Sequence, residues 1–320
     1  MGWKIYLPQD ILPEGREYLE SHGHTLVMGT GTDEETLCRE IKGMDAMVCR
    51  TTKITRKVFE AADQLKVVAR HGAGFDFIDV VAAKDHGVMC VFAPTANYDL
   101  DCFSGIDKLA CTTYFSDKAY ESATKGFKAV QKEFLNDYMK AKMKIEKHTL
   151  HGKTLGIIGC GRIGTLVAEK CNKAFSMKVL AWDPFRPVDS YPDFITPIKD
   201  LDELLGKSDF VSVHSPLTAD TKEFINKEKF QYMKRTAYLI NTSRGMVVNE
   251  KDLYDACKEG VIAGAALDVL QEEPISPDNP ILSLDNVIVS PHIGGATKEA
   301  SINASLMCAR GIEEVYEGKK

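Results

Sequence analysis

Three polar residues in the second half of the chain have the types and spacing for proton and anion chemistry. LINTSRG places Arg244 just after an apolar run, and ALDVLQEEP places Asp268 at the end of another, with Glu273 five residues on. SPHIGG places His292 after a third, between Pro291 and the pair Gly294-Gly295. An imidazole titrates near neutral pH and can give or take a proton. A carboxylate beside it stabilises the imidazolium, orients the ring and raises its pKa. An arginine offers planar donors to a carboxylate and the carbonyl next to it. Taken singly, each has an ordinary use: Arg244 in a surface salt bridge, Glu273 as a loop carboxylate, His292 as a helix cap. The elements around them must decide.

Those elements are short apolar runs alternating with helix-period segments. KIYL (4–7), TLVM (25–28), AMVC (46–49), KVVA (66–69) and VMCVF (88–92) read as buried strands. PEGREYLESHG reads as a helix, with Pro13 near its start and Gly23 near its end. A second series runs TLGIIG, KVLAW, FVSVH, AYLIN, AGAALDV and NVIVS. Repeated β-α-β alternation implies a parallel sheet with helices on both faces. The expected fold is therefore α/β: two doubly wound parallel-sheet domains, a Rossmann domain and a flavodoxin-like one. Residues 1–98 with 297–320 form one domain and 99–296 the other. The Lys-rich segment 116–152 reads either as a helical linker or as a subunit contact. Ile302, Leu306, Ala309, Ile312 and Val315 suit a final helix packed on the first domain.

The second series begins with Gly159-Cys160-Gly161-Arg162-Ile163-Gly164, between a strand and a helix that carries Ile163, Val167, Cys171 and Ala174 on one face. The next strand ends in Asp183, 24 residues after Gly159. This is the dinucleotide fingerprint in its required setting. Gly159 permits the tight turn, Gly161 lets backbone approach a pyrophosphate, and Gly164 allows close helix–strand packing. The helix N-terminus offers free N–H groups and partial positive charge. Asp183 accepts from the ribose and repels a 2′-phosphate, favouring NAD, while Arg186 nearby tempers that preference. Cys160 reads as a small side chain in the motif.

In open parallel sheets ligands collect at the carboxyl ends of strands. Arg244, Asp268, Glu273 and His292 all follow strands of the dinucleotide domain, so they should face the cleft that receives the nicotinamide. Reducing a 2-keto acid needs a cation for the carboxylate, a donor to the carbonyl oxygen and a proton as hydride arrives. Arg244 and His292 supply these, with Glu273 as the histidine's partner.

Composition narrows the surroundings. The chain has 320 residues, 44% hydrophobic and 27% charged, with a formal charge of −6 that gives no reason to expect nucleic acid or an anionic membrane. No run nears the ~20 apolar residues of a membrane span. MGWKIYLPQDIL lacks a signal-peptide core, and Tyr6 fails the myristoylation pattern. Nine cysteines without a C-x-x-C pair suit reduced thiols in a cytoplasm. No metal site is expected.

The motifs HGKTLGIIGCGRIG, VSVHSPLT, LINTSRG, ALDVLQEEP and SPHIGG, in that order, resemble the D-isomer-specific 2-hydroxyacid dehydrogenase family. RHGAGFDFID (70–79) resembles the family's glycine segment, which binds the substrate carboxylate through backbone N–H groups. The likeness covers the chain apart from residues 98–150. It implies Arg244, Glu273 and His292 as the catalytic trio, and a small 2-keto or 2-hydroxy acid as substrate. It implies NAD contacts at Gly159, Gly161, Arg162, Ile163, Gly164 and Asp183, then at His214, Ser215, Pro216 and Thr221. Further contacts are implied at Asn241, Thr242, Ser243, Gly294 and Gly295, with Asp268 holding the nicotinamide carboxamide. Gly72, Ala73 and Gly74 take the substrate carboxylate, and the family architecture implies a closing interdomain cleft and a homodimer.

VCRTTKIT and VVARHGAG look most like phosphoglycerate dehydrogenases, whose basic residues near a phosphorylated substrate correspond to Arg50 and Arg70. Hydroxypyruvate, glyoxylate and other 2-keto acid reductases can carry similar arginines. The regulatory C-terminal domain of longer members is expected to be absent. One segment departs from the family. After FAPTAN (92–97), where small residues and V-A-E are usual, the chain reads YDLDCFSGIDKLACTTYF. Phe103 replaces a glutamate, Asp101 replaces an apolar residue, and Gly105 inside a helix costs roughly 1 kcal/mol against alanine. The alternatives are an NAD-binding corepressor-like protein and an inactive homologue.

Overall fold

A computed structural model describes residues 2–72, 74, 76–93 and 149–319. Ala73, the atypical segment 98–115 and residues 116–148 of the Lys-rich segment lie outside the described residues. The chain divides into two compact units, residues 1–98 with 295–320 and residues 99–294. Gly295 and Ala296 thus group with the first unit.

The first unit carries five parallel strands, β1 (Lys4–Leu7), β2 (Thr25–Met28), β3 (Ala46–Cys49), β4 (Val67–Arg70) and β5 (Met89–Phe92), in the order β2-β1-β3-β4-β5. That is the flavodoxin-like order. Successive strand residues point to opposite faces, so the sheet feeds two cores. Tyr6, Met47 and Val68 join one, and Ile5, Leu7, Val48, Val67 and Ala69 the other. Helices α1 (Pro13–Ser21), α2 (Glu34–Glu40), α3 (Arg56–Ala61) and α4 (Val80–Asp85) connect the strands.

The second unit carries β6 (Thr154–Ile158), α5 (Arg162–Phe175), β7 (Lys178–Trp182), β8 (Ile195–Pro197), α6 (Leu201–Lys207) and β9 (Phe210–Val213). It continues with α7 (Lys227–Tyr232), β10 (Tyr238–Asn241), α8 (Glu250–Lys258), β11 (Gly264–Leu267) and β12 (Val287–Val289). All seven strands are parallel, in the order β12-β11-β10-β9-β6-β7-β8. The order reverses between β6 and β9, the switch point at which a Rossmann sheet opens its ligand crevice. The short edge strand β8 is absent from the sequence expectation. It has three residues and ends in Pro197, which cannot donate to a ladder and is tolerated at an edge.

Two helix faces differ from expectation. On α5 the buried side is Gly164, Val167, Ala168 and Cys171, while Ile163 is half-buried and Ala174 exposed. The last helix, α9 (Lys298–Tyr316), packs on α1, β4 and β5. Its buried side includes Ala300, Ala304, Ser305 and Cys308 beside Ala309 and Ile312, whereas Ile302, Leu306 and Val315 are half-buried. Small residues allow the closer approach: a Cβ on Gly15 of α1 would sit 2.8 Å from that of Ser305.

One polar tie crosses this core. His24 Nδ1 accepts the Trp3 N–H at 3.0 Å, so Nε2 carries the proton and donates to Glu313 Oε2 at 2.7 Å. The His24 side chain is fully buried. Truncation in Glu313→Ala leaves that donor unsatisfied and should cost about 1–3 kcal/mol. A urea titration read by circular dichroism measures the loss, and an unchanged midpoint would refute the tie.

Candidate functional site

The phosphate-binding loop lies at the β6 side of the switch point. Gly159 has φ +85°, and a Cβ there would sit 2.8 Å from the His214 carbonyl carbon and the Ser215 nitrogen, just beyond β9. A Cβ on Gly164 would approach the Gly159 carbonyl oxygen to 2.3 Å, so α5 starts in direct backbone contact with its strand. At Gly161 the same position faces open space, and this N-cap residue has no side chain to accept from the first N–H groups of α5. Arg162 and Ile163 occupy the first turn of α5. Asp183 accepts from Cys160 N–H at 2.9 Å and Phe185 N–H at 3.0 Å. Each carboxylate oxygen keeps a second lone pair for a ribose hydroxyl.

Across the switch point, burial pushes the His214 pKa down to about 4. Its neutral ring meets Ser212 Oγ at 2.9 Å, so it is no proton donor at neutral pH. Ser215 is buried, and Thr221 Oγ1 donates to the Pro216 carbonyl at 2.6 Å, closing that loop. After β10, the Asn241 amide shapes the next turn. Its Oδ1 accepts from Ser243 N–H and Oγ, and its Nδ2 donates to the Arg244 carbonyl. Between them Thr242 Oγ1 is buried without a hydrogen-bond partner. An orphaned hydroxyl at a strand end, an uncapped helix start and an open Gly161 all fit a dinucleotide.

The trio comes together in this unit. His292 Nδ1 lies 2.7 Å from Glu273 Oε2, and Glu273 Oε1 accepts Leu270 N–H at 3.2 Å. The other ring nitrogen, Nε2, can then exchange a proton with a ligand. The Glu273 hydrogen bond raises the His292 pKa above the ordinary imidazole value, against the opposing effects of desolvation and the Arg244 charge. Burial works to raise the Glu273 pKa, but the His292 hydrogen bond and charge, Leu270 N–H and Arg244 outweigh it and hold the carboxyl low. Both residues sense the Arg244 guanidinium, whose Nη1 donates to the Ser243 carbonyl at 2.7 Å. The backbone of His292 is left-handed, φ +52°.

Two structural supports go beyond the sequence expectation, which takes Asp268 only as a carboxamide contact. Asp268, 5% exposed, clamps the loop on either side of His292. Its carboxylate accepts from Ser290 Oγ, from Ile293 N–H at 3.1 Å and from Gly294 N–H at 2.7 Å. Gly245 is the second support. A Cβ there would lie 1.9 Å from the Leu270 carbonyl oxygen, so the loops carrying Arg244 and Glu273 touch backbone to backbone. The signal is present in SRG, where the glycine after Arg244 marks the point of close backbone approach. Gly295 belongs to the first unit.

In the first unit the switch point lies between β1 and β3. Arg50, one residue past β3, spans it: Nη1 donates to the Asp10 carbonyl at 3.0 Å. Gln9 Oε1 accepts from Thr51 N–H and Thr52 Oγ1 across the same gap. Arg70 ends β4, its Nη1 donating to the His71 carbonyl at 2.5 Å and its guanidinium 4.8 Å from the Phe77 ring centre. Gly72 differs from expectation: its N–H is taken by the Arg70 carbonyl at 2.9 Å. His71 went unnoticed in the sequence. Burial, then the Arg50 charge, pushes its pKa down to about 4, and Nε2 lies 2.9 Å from Ser305 Oγ, tying the glycine segment to α9.

Residues 120–294 match the family model of the "D-isomer specific 2-hydroxyacid dehydrogenase, NAD binding domain". The chain is 38% identical over 316 residues to D-3-phosphoglycerate dehydrogenase of Archaeoglobus fulgidus, covering 98% of this chain and 58% of that protein. It is 36% identical to glyoxylate reductase of Korarchaeum cryptofilum, covering 99% and 93%. The fold matches D-lactate dehydrogenase of Aquifex aeolicus, complexed with NAD and lactic acid, at a TM-score of 0.80 and 27% identity, covering 98% and 96%. The chain thus spans 58% of the length of the archaeal phosphoglycerate dehydrogenases it matches.

The raised His292 pKa is open to direct measurement. In Glu273→Gln the charge partner is lost while desolvation and Arg244 remain, so the imidazole midpoint should fall. An NMR titration of the His292 ring reads it. An equal midpoint in both proteins would show that Glu273 does not set the charge state.

Proposed function

The chain belongs to the D-isomer-specific 2-hydroxyacid dehydrogenase family, and we propose that it interconverts a D-2-hydroxy acid and the corresponding 2-keto acid. The observation that carries this reading is the 2.7 Å His292–Glu273 pair beside Arg244 in an NAD-binding sheet. The dinucleotide, which Gly159, Gly161, Gly164 and Asp183 would hold, would take up hydride from C2 as NAD or deliver it as NADH. Arg244 grips the substrate carboxylate and the C2 oxygen with its planar donors. His292 Nε2 gives its proton to the C2 oxygen in reduction and takes it back in oxidation. Glu273 keeps the imidazolium charged and the ring oriented. Asp268, besides holding the His292 loop, orients the carboxamide. Thr242, at the end of β10, directs its hydroxyl to the cofactor.

The phosphoglycerate reading is supported by Arg50 and Arg70 at two neighbouring strand ends, a pair suited to the phosphate of such a substrate. A reductase of unphosphorylated 2-keto acids is the second reading, favoured by the way Arg70 turns to its own loop and the Phe77 ring. A cytoplasmic homodimer completes the proposal. It rests on the resemblance and on the free thiols of the seven described cysteines. No described helix is long and apolar enough to cross a membrane.

Loss of NADH absorbance is to be followed with phosphohydroxypyruvate, hydroxypyruvate, glyoxylate, pyruvate and branched 2-keto acids. Turnover on at least one is expected, with none detectable in Arg244→Ala and a loss of roughly 10²–10⁴-fold in His292→Gln. If phosphohydroxypyruvate is the substrate, Arg50→Ala raises its KM about tenfold, equivalent to about 1.4 kcal/mol, without affecting glyoxylate. Tight NADH binding without turnover on the panel would instead support a corepressor-like or inactive protein.

The pH dependence has a definite sign. Reduction needs the protonated imidazole, and a raised pKa moves its loss to higher pH, so the rate should fall as pH rises through that value. Oxidation needs the neutral ring and should rise over the same interval. Initial rates in both directions from pH 5 to 10 measure this, and parallel profiles would exclude His292 as the proton carrier.

A further inference from the structure

The loop after β7 grips the phosphate-binding loop from both sides of one residue. Asp183 takes the Cys160 N–H, and Arg186 Nη1 donates to the Cys160 carbonyl at 2.6 Å. The same Nη1 donates to Thr165 Oγ1 at 2.7 Å, and that hydroxyl donates to the Gly161 carbonyl at 2.7 Å. Arg186 Nε donates to Ser190 Oγ at 3.2 Å and Nη2 to the Ser190 carbonyl at 2.8 Å. The guanidinium lies 4.6 Å from the Tyr191 ring centre. A guanidinium has five N–H groups. One on Nε, two on Nη1 and one on Nη2 make four that are spent inside the protein.

We infer that Arg186 is a positioning residue that presets the phosphate loop for the dinucleotide, and that it does not read a 2′-phosphate. A peptide group is planar and trans, so its carbonyl and N–H point in opposite directions. Fixing the Cys160 carbonyl therefore fixes the direction of the Gly161 N–H, on the residue whose Cβ position faces open space. Fixing the Cys160 N–H through Asp183 does the same for the Gly159 carbonyl, against which Gly164 packs. Both peptides ahead of α5 are set before a ligand arrives, which lowers the ordering cost of binding. One N–H remains on Nη2, so to grip a 2′-phosphate with two parallel donors Arg186 would have to abandon at least one of these partners, beside an Asp183 carboxylate that repels the same group.

The inference rests on the dinucleotide reading of this unit and is independent of turnover. NADH and NADPH are titrated against the protein by energy transfer from Trp182, the last residue of β7, in the wild type, Arg186→Ala and Arg186→Lys. The wild type is expected to prefer NADH. Arg186→Ala should weaken NADH binding about tenfold and NADPH by a similar factor, leaving the ratio between them within about twofold. Arg186→Lys, which keeps a donor for the Cys160 carbonyl, should recover part of the loss. Melting curves verify folding, and if the alanine variant does not fold, a weakened but unchanged preference in the lysine variant carries the test. A selective loss of NADPH in either variant, or unchanged NADH affinity in a folded alanine variant, overturns the inference. NADH binding without turnover in the wild type would remove the dehydrogenase reading and leave this inference standing, whereas absence of NADH binding would remove both.

Discussion

The carboxylate of Asp268 is the constraint from which the arrangement around His292 follows. A buried charge is costly unless its oxygens are hydrogen-bonded, and Asp268 meets that condition with a hydroxyl and two backbone N–H groups of one loop. Satisfying the charge therefore means folding residues 290–294 around it. The histidine in the middle of that loop has no freedom to leave the site without breaking bonds to a buried anion. Glu273 then needs only one good contact to select the ring's proton. Gly245 brings the remaining cation close because two backbones can touch there without a side chain between them. The site is assembled by backbone and buried polar groups more than by the packing of its own reactive side chains.

The neutral histidines sharpen this distinction. His71 and His214 are both pushed down to about 4, the first by burial and the Arg50 charge and the second by burial. His292 moves the other way because a carboxylate faces its ring. Three imidazoles in one chain are thus shifted in different directions by their surroundings, and of the three only His292 has a carboxylate partner that holds its pKa up.

Much of the fold was legible in the sequence because parallel strands buried on both faces leave continuous apolar runs, and every strand but β8 had one. The edge strand escaped because three residues ending in proline carry no such signature. The face of α9 is only partly legible: Ala309 and Ile312 are buried as expected, and the rest is obscured for the opposite reason. Searching for large apolar residues favoured Ile302 and Leu306, while the closest packing used Ala304, Ser305 and Cys308, whose small size is the point. At the site, the reactive residues were legible from their types and their places after strands. Their supports were not, since Ser290, Leu270 and Gly245 act through a hydroxyl, a backbone N–H and a missing side chain, none of which has a sequence pattern of its own. The occupied N–H of Gly72 was likewise invisible, because it depends on how Arg70 ends its strand.

The left-handed backbone of His292 has a consequence for how this protein can change. An L-residue other than glycine, asparagine or aspartate holds that conformation at a cost of about 1–2 kcal/mol. Position 292 is therefore a place where stability and chemistry have opposed preferences: glycine or asparagine would relieve the strain and remove the imidazole.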